Sequence, residues 1–353
     1  MLTSNHKKIK KYCRINDQKI GSFMDDIFVD QHILKTNNKE ECDLFIPKTE
    51  DELDLTNFPK NTIIGTIDNI NHLNKKSLLW KNLVDKWGRK NASGIIPESF
   101  NILQKPQLKQ FARDFLYNKS DYILKNEQES ARGILVSNNM KLMTNHILAK
   151  KEEGYPVTVI QKIIKSLLID KHVFKIRMFL LIKCDKKTGK KHFYLHQTGS
   201  MFYAPEKYSK SVKNNNNIIA NGYWYKNIAH TDYVSFINDK PKTLADLINY
   251  LEKIDVNTRR LFTKLNHLLI LIFKAIEDKI YTKHSKHDQF CILGFDVMID
   301  DDFKPWVIEF NKGPSLSSYD DVDVYDSKKI VWNDMYNLVN NNIENGFKEL
   351  YSV

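Results

Sequence analysis

The stretch Gly294-Phe295-Asp296-Val297-Met298-Ile299-Asp300-Asp301-Asp302-Phe303-Lys304-Pro305-Trp306-Val307-Ile308-Glu309-Phe310-Asn311 restricts the fold more than any other part of the chain. Apolar and polar residues alternate with period two in each half, so it reads as two short strands around a polar turn. With a loop from Asp301 to Lys304, Asp296 comes opposite Glu309, and Asn311 lies on the same face opposite Gly294. Side chains directly opposite in an antiparallel pair have Cβ atoms about 4.5–5.5 Å apart. Two carboxylates that close repel, or one takes a proton, unless a cation lies between them. Oxygen ligands, with the space a glycine leaves, suit Mg²⁺, which is held by one or two carboxylates together with nucleotide phosphates. The spacing therefore predicts a nucleotide–metal site with Asp296, Glu309 and Asn311 as ligands. The same residues also fit an acidic surface turn with a chance carboxylate pair. If the like-charge pair stands, Glu309→Gln relieves it and leaves the fold largely intact.

A chain of 353 residues with 42% hydrophobic content can bury a sizeable core. Its length suggests two domains, at about 150 residues each. No apolar run reaches the ~18 residues of a membrane span, and no apolar stretch follows the basic segment Met1–Lys8, so a secretory signal is not expected. Cys13, Cys42, Cys184 and Cys291 are far apart with no C-x-x-C pair. That argues against a structural zinc site or a disulfide framework and for a reducing compartment, the cytoplasm. The formal charge of +11 fits a lysine-rich soluble surface, or an acidic partner such as nucleic acid, nucleotide or an acidic peptide.

Along the chain, Ile27-Phe28-Val29, Leu44-Phe45-Ile46 and Thr62-Ile63-Ile64-Gly65 read as strands of a small α/β unit. A helical stretch from Asn71 to Leu83 follows, with Ser77 as its cap. Gln107–Asn118 reads as a helix, and Tyr122–Lys125, Ile134–Val136, Pro156–Gln161, Val173–Lys183 and His192–Leu195 as strands. Lys213-Asn214-Asn215-Asn216-Asn217 is a low-complexity loop, expected to be mobile without substrate. Lys242–Tyr250 and Thr258–Asp278 are helical, and Val331, Met335, Leu338, Val339, Ile343, Phe347 and Leu350 mark an amphipathic helix from about Lys329 to the end. This order of strand pairs and flanking helices indicates the α+β class.

Other residues could carry chemistry. Lys125 ends a strand and opens the polar loop Asn126–Gly133, a setting that can hold phosphate oxygens or simply be surface. Arg177 alternates with Phe174, Ile176, Met178 and Phe179, so it needs an anionic partner, ligand or structural. Gln161-Lys162-Ile163-Ile164, followed by Leu167-Leu168-Ile169, suits an adenine ring, or plain core. No P-loop, G-x-G-x-x-G, histidine ligand pattern or Ser/His/Asp arrangement is present by spacing. Tyr223-Trp224-Tyr225 could stack bases or pack.

Together these residues resemble the tubulin tyrosine ligase-like family of ATP-grasp ligases, from about Asn71 to Leu316. Asn71-His72-Leu73 with Lys76-Ser77-Leu78-Leu79 is similar to the segment that carries a phosphate-contacting lysine, here Lys76. Ile95-Ile96-Pro97-Glu98-Ser99-Phe100 is similar to the family's Pro-Glu-Thr segment. Tyr122-Ile123-Leu124-Lys125 and Arg132-Gly133-Ile134 resemble the strand lysine and the phosphate loop, and Val159-Ile160-Gln161-Lys162 the adenine side. Gly294-Phe295-Asp296 and Trp306–Asn311, with Pro314-Ser315-Leu316, are the most specific match.

The resemblance implies an ATP-grasp fold, two α+β subdomains gripping ATP behind a small N-terminal α/β domain, divided as 1–75, 76–155 and 156–353. It implies an ATP- and Mg²⁺-dependent carboxylate–amine ligase that works through an acyl phosphate. Such an enzyme adds tyrosine, glutamate or glycine, as the free amino acid, to an acidic protein acceptor such as a tubulin C-terminal tail. Lys76, Arg177 and Asn221 are the implied catalytic residues. Lys76, Lys125, Arg132, Gly133, Ile134, Gln161, Lys162, Ile163, Ile164 and Arg177 would contact nucleotide, and Asp296, Glu309 and Asn311 the metal. The chain departs from the family on the acceptor side. Lys175 stands where Asp is common and Val173 where Lys is common; no arginine lies near Phe202; and Ile218-Ile219-Ala220-Asn221 keeps only the Asn of His-Leu-Thr-Asn. A nucleotide-binding pseudoenzyme with an acidic partner is the alternative, and a nucleic-acid-binding protein of similar architecture a further one.

Overall fold

The computed structural model describes residues 9–14, 28–47, 55–118, 120–127, 133–209, 215–220, 235–280, 286–313, 322–341 and 345–353, with the side chains of 322–327 and 341 excepted. In chain order come β1 (Lys11–Cys13), β2 (Leu34–Lys35), β3 (Leu44–Phe45), β4 (Ile63–Ile64), α1 (Asn71–Asn74) and α2 (Lys76–Ile95). Then follow β5 (Ser99–Asn101), α3 (Lys105–Tyr117), β6 (Tyr122–Lys125), β7 (Leu135–Ser137), α4 (Met140–Glu152), β8 (Val159–Lys162) and β9 (Leu168–Ile169). The long strands β10 (His172–Cys184) and β11 (Lys191–Tyr203) lead to α5 (Asn215–Ile218), α6 (Leu244–Lys253) and α7 (Thr258–Ile276). The chain closes with β12 (Gln289–Ile299), β13 (Pro305–Lys312), α8 (Val322–Asn341) and β14 (Phe347–Ser352).

Two sheets organise these elements, and the class is α+β. The large one runs β14-β11-β10-β12-β4-β3-β1-β2, with β13 also on β12 and β9 on β10. Its faces follow from alternation along β10. Ile176, Met178, Leu180 and Ile182, with Leu293, Phe295 and Val297 of β12, pack against Leu265, Leu269, Ile272 and Phe273 of α7 and Leu79 and Leu83 of α2. Each leucine of that stripe contributes roughly 1.5–3 kcal/mol through burial. The opposite face puts Phe179, Leu181, Phe290 and Ile292, with Tyr12 of β1 and Leu44 of β3, in one cluster with Phe28 and with Val331, Trp332, Met335 and Leu338 of α8. The small sheet, β5-β8-β6-β7, is antiparallel. Phe100, Tyr122, Leu124 and Ile160 on one of its faces pack on Phe111 of α3 and Met143 of α4.

Several expectations are corrected. Phe28 to Asp30 are helical, not strand. Ser77 does not cap α2; the Glu127 carboxylate accepts from Lys76 N at 2.7 Å and Ser77 N at 3.1 Å. A side chain 50 residues away thus meets the orphan amides that a local Ser would have to reach. The C-terminal helix is described as far as Asn341, Ile343 lies outside the described residues, and Phe347 and Leu350 lie in β14, antiparallel to β11. Their spacing of three mimics a helical face. The chain turns because Gly346 N donates to Asp334 Oδ2 and Asn345 Nδ2 to Asp334 O. A Cβ at 346 would come 2.4 Å from both Asp334 Oδ2 and His196 Nε2, so any larger residue must displace that pair.

Asn215–Ile218 of the asparagine run is a helical turn, not an open loop. Asn215 Nδ2 donates to Ile134 O at 2.9 Å, its Oδ1 accepts from Val136 N at 3.2 Å, and Asn217 is buried. Lys213 and Asn214 lie outside the described residues. Cys13 and Cys42 form a disulfide, while Cys184 and Cys291 are buried thiols outside it. Their 29-residue separation hides a parallel pairing of β1 with β3 that brings them together. Among the described residues no helix is long and apolar enough to cross a membrane.

Candidate active site

The hairpin β12–β13 keeps the expected partners by a different route. Its loop runs from Asp300 to Lys304, one residue longer than expected, since Ile299 pairs with Pro305 and Val297 with Val307. The register then shifts between Asp296 and Val297, leaving Ile308 as an extra residue. This bulge restores Asp296 opposite Glu309 and Gly294 opposite Asn311. It also lets the consecutive residues Ile308 and Glu309 both line one cleft, which a regular strand forbids. Asp300 ties the turn: its Oδ1 accepts from Lys304 N at 2.8 Å and its Oδ2 from Trp306 Nε1 at 2.8 Å.

A cleft of about 100 Å³ lies between the two sheets. Ile123, Lys125 and Gln161 come from the small sheet, and Lys175, Asp296, Met298, Ile308 and Glu309 from the large one. Ile134, Lys162, Ile163, Ile164, Ile218, Ile219 and Ala220 complete an apolar end. Asn215 anchors that last segment across the mouth by its contacts to Ile134 and Val136. A smaller recess next to it holds Lys76, Ser99, Lys125, Gln161 and Glu309.

Charge is concentrated at the polar end. Asp296, 1% exposed, is paired through Oδ2 with Lys175 Nζ at 2.6 Å and through Oδ1 with Arg177 Nε at 2.5 Å. Arg177 stands directly beside Asp296 in the β10–β12 register. Lys76 Nζ lies 3.4 Å from Glu309 Oε2. Burial acts to raise the Glu309 carboxyl, but Lys76, Lys125, Lys175 and Arg177 together override it and hold the acid far below the usual carboxylate range. Burial pushes the Lys125 ammonium down to about 8, opposed by Glu309 and assisted by Lys76 and Lys175. Lys125 donates to Gln161 Oε1 at 2.8 Å, and Gln161 Nε2 donates to Ser99 Oγ at 2.9 Å. Cations therefore outnumber carboxylates, so the feared repulsion of Asp296 and Glu309 is reversed into a cation excess.

Asn311 is 5% exposed, and neither its Oδ1 nor its Nδ2 has a hydrogen-bond partner among the described residues. An orphaned buried amide beside two carboxylates is the donor chemistry of a hard cation with oxygen ligands. Among the described residues no group of three or more His, Cys, Asp or Glu offers another metal site. The residues present thus fit Mg²⁺.

Residues 57–343 match the sequence model of the tubulin-tyrosine ligase family. The chain belongs to this family. Its two sheets around one cleft are the family's ATP-grasp arrangement. Among curated relatives, the tubulin monoglutamylase TTLL4 of Mus musculus is 27% identical over 287 residues, 76% of this chain and 22% of that protein. The tubulin polyglutamylase TTLL5 of Homo sapiens is 27% identical over 285 residues, 76% of this chain and 21% of that protein. The probable tubulin polyglutamylase TTLL2 of Homo sapiens is 29% identical over 177 residues, 49% of this chain and 29% of that protein. The chain thus spans about a fifth of the length of the TTLL4 and TTLL5 relatives.

Of the expected site residues, Lys76, Lys125, Ile134, Gln161, Lys162, Ile163, Ile164, Asp296 and Glu309 line the cleft or its recess. Arg177 joins them through Asp296, and Asn311 through its place two residues beyond Glu309 on β13. Gly133 precedes Ile134 at φ 81°, a left-handed turn that glycine adopts freely. The Lys162 ammonium points to Glu98 Oε2 at 2.6 Å, and the Gln161 side chain serves Lys125. Arg132, Asn221 and Tyr223–Tyr225 lie outside the described residues.

Sequence reasoning passed over Pro97, Ile123, Ser166, Met298 and Ile308 as lining residues. Alternation could have found Ile123, which shares the Lys125 face of β6, and Met298, which shares that of Asp296. Ile308 reaches the cleft only through the bulge, which no local signal announces.

Proposed function

We propose that this chain is an ATP- and Mg²⁺-dependent carboxylate–amine ligase that adds an amino acid to a protein acceptor such as tubulin. The observation that carries the reading is the orphaned, buried Asn311 amide two residues along β13 from Glu309, which with Asp296 lines the cationic end of a cleft whose other end is apolar. Asp296, Glu309 and Asn311 would hold the metal. When bound, Mg²⁺ would neutralise phosphate charge and act as a Lewis acid. Lys76, Lys125 and Arg177 would offset the charge on the phosphates in a site shielded from water. Ile163, Ile164 and Ile218–Ala220 would enclose the adenine ring and exclude water from it.

In the reaction, a carboxylate oxygen attacks the γ-phosphorus, and the bond to the β–γ bridging oxygen breaks to release ADP. An amine nitrogen then attacks the acyl carbon and loses a proton. An amide forms and phosphate leaves. The relatives named as glutamylases make glutamate the first amino acid to try, and the +11 charge suits an acidic acceptor. The proposed domains divide at 75 and 155, while the Cys13–Cys42 disulfide removes the cysteine argument for the cytoplasm.

The pairing of both Asp296 oxygens with Lys175 and Arg177 favours a second reading, a relative that binds nucleotide and an acidic protein without ligating. Incubation with ATP, Mg²⁺, labelled glutamate, tyrosine or glycine, and tubulin separates the two. ATP-dependent label in protein supports the ligase. ATP-induced thermal stabilisation with no label in any combination supports the second reading.

A further inference from the structure

Lys175 and Arg177 are two residues apart on β10 and so share a face. Both reach Asp296, Lys175 through Oδ2 and Arg177 through both oxygens, at 2.5 Å and 3.3 Å. Among the described residues, the cleft wall thus carries Lys76, Lys125, Lys175 and Arg177 against the carboxylates of Asp296 and Glu309. In a wall with an acid at 175, the carboxylates and an incoming polyphosphate would repel unless a divalent cation entered with it. Here the chain's own Lys175 joins Arg177 in an ion pair with Asp296. The Lys175 side chain is only 14% exposed, and its ammonium also lies 5.8 Å from the Phe202 ring. It is held in place before any ligand arrives, so it offers positive charge with little reorganisation.

Building on the nucleotide reading above, we propose that Lys175 is a built-in counter-cation at Asp296, which lets the cleft hold a nucleoside triphosphate with a weakened requirement for a divalent ion. The same contact works against the metal, because an ion claiming Asp296 Oδ2 must displace the Lys175 ammonium. Lys175 therefore trades affinity for Mg²⁺ against affinity for metal-free nucleotide. It acts as a specificity residue for the form in which the nucleotide is bound.

The test is the dissociation constant of ATP, by calorimetry, in excess Mg²⁺ and in EDTA. Wild type, Lys175→Met and Lys175→Asp are compared, and the readout is the ratio of the two constants for each protein. We expect the wild-type ratio to stay below about tenfold, and Lys175→Met to widen it by about tenfold through loss of the EDTA-phase affinity, as removal of one charge-assisted contact does. Lys175→Asp widens it further. A Lys175→Met ratio equal to that of wild type overturns the proposal. So does a wild-type affinity that collapses a hundredfold or more in EDTA, a result that decides the matter even if neither variant folds. If wild type binds no ATP in excess Mg²⁺, the nucleotide reading falls with it. If wild type binds but the ratio ignores residue 175, the inference alone falls.

Discussion

Glu309→Gln probes the balance of charge in the cleft. The carboxylate has Lys76 at 3.4 Å, and Lys125, Lys175 and Arg177 also draw it below its usual range. Removing its charge leaves Lys125, 7% exposed, with less compensation and with Lys76 and Lys175 as like-charged neighbours. Breaking a fully buried ion pair from one side costs about 3–5 kcal/mol. The Lys76 and Glu309 side chains are 11% and 19% exposed, so some water screens them. Glutamine also keeps the shape and one acceptor, which brings the expected loss to about 1–3 kcal/mol. For a chain of this size that lowers the melting temperature by about 1–4 °C. Thermal unfolding of the ligand-free protein at neutral pH, followed by circular dichroism, measures it. A double-mutant cycle with Lys76→Met should give a coupling of about 1 kcal/mol. A Glu309→Gln protein as stable as wild type, or more stable, refutes the reasoning, because repulsion from Asp296 would then outweigh the surrounding cations.

Three further outcomes are expected. Burial holds the His196 imidazole below its ordinary value, with Asp334 opposing. The unfolded chain therefore takes up the proton first as pH falls past about 6.5, and the stability present above that value is lost as pH falls through the folded one. Denaturant titrations from pH 7 to pH 5 should show that loss in wild type and a shallower one in His196→Gln; His172 and His287, lowered first by burial as well, supply the remainder. Glu127→Ala removes both acceptors at the start of α2 and should cost about 1–2 kcal/mol in urea unfolding, with an unchanged midpoint counting against the cap. Asn215→Ala should speed amide exchange at Val136 about fivefold, as loss of a bond worth about 1 kcal/mol implies, and unchanged protection would mean that α5 does not rest on that strand.

What was legible in the chain depended on whether the signal was a period or a meeting. The β12–β13 hairpin shows why periods are robust. Its turn was read one residue short, yet Asp296 still faces Glu309. Phe295 and Phe310 are partners on the other face, stacked at 5.5 Å in the main core, and a one-residue slip would expel them from it. The pairing is thus set by what the core face must bury, and the bulge at Ile308 absorbs the extra turn residue. Meetings have no such redundancy. That Glu127 caps α2, that Cys13 reaches Cys42, or that Asn215 pins its segment to Val136 depends on chain crossings that no local pattern encodes. Phe347 and Leu350 have a related reason: a spacing of three fits a helix, but both residues pair into β14 beside β11, a meeting the local pattern does not encode. The charge of the site belongs to the second kind. Asp296 and Glu309 looked like a repelling pair because only their own hairpin was in view. Lys76 comes from α2, Lys125 from β6, and Lys175 and Arg177 from β10, and their convergence turns that repulsion into an excess of cations. Whether such a wall asks for a metal as strongly as two bare carboxylates would is therefore a question about residue 175, not about the hairpin that first suggested the site.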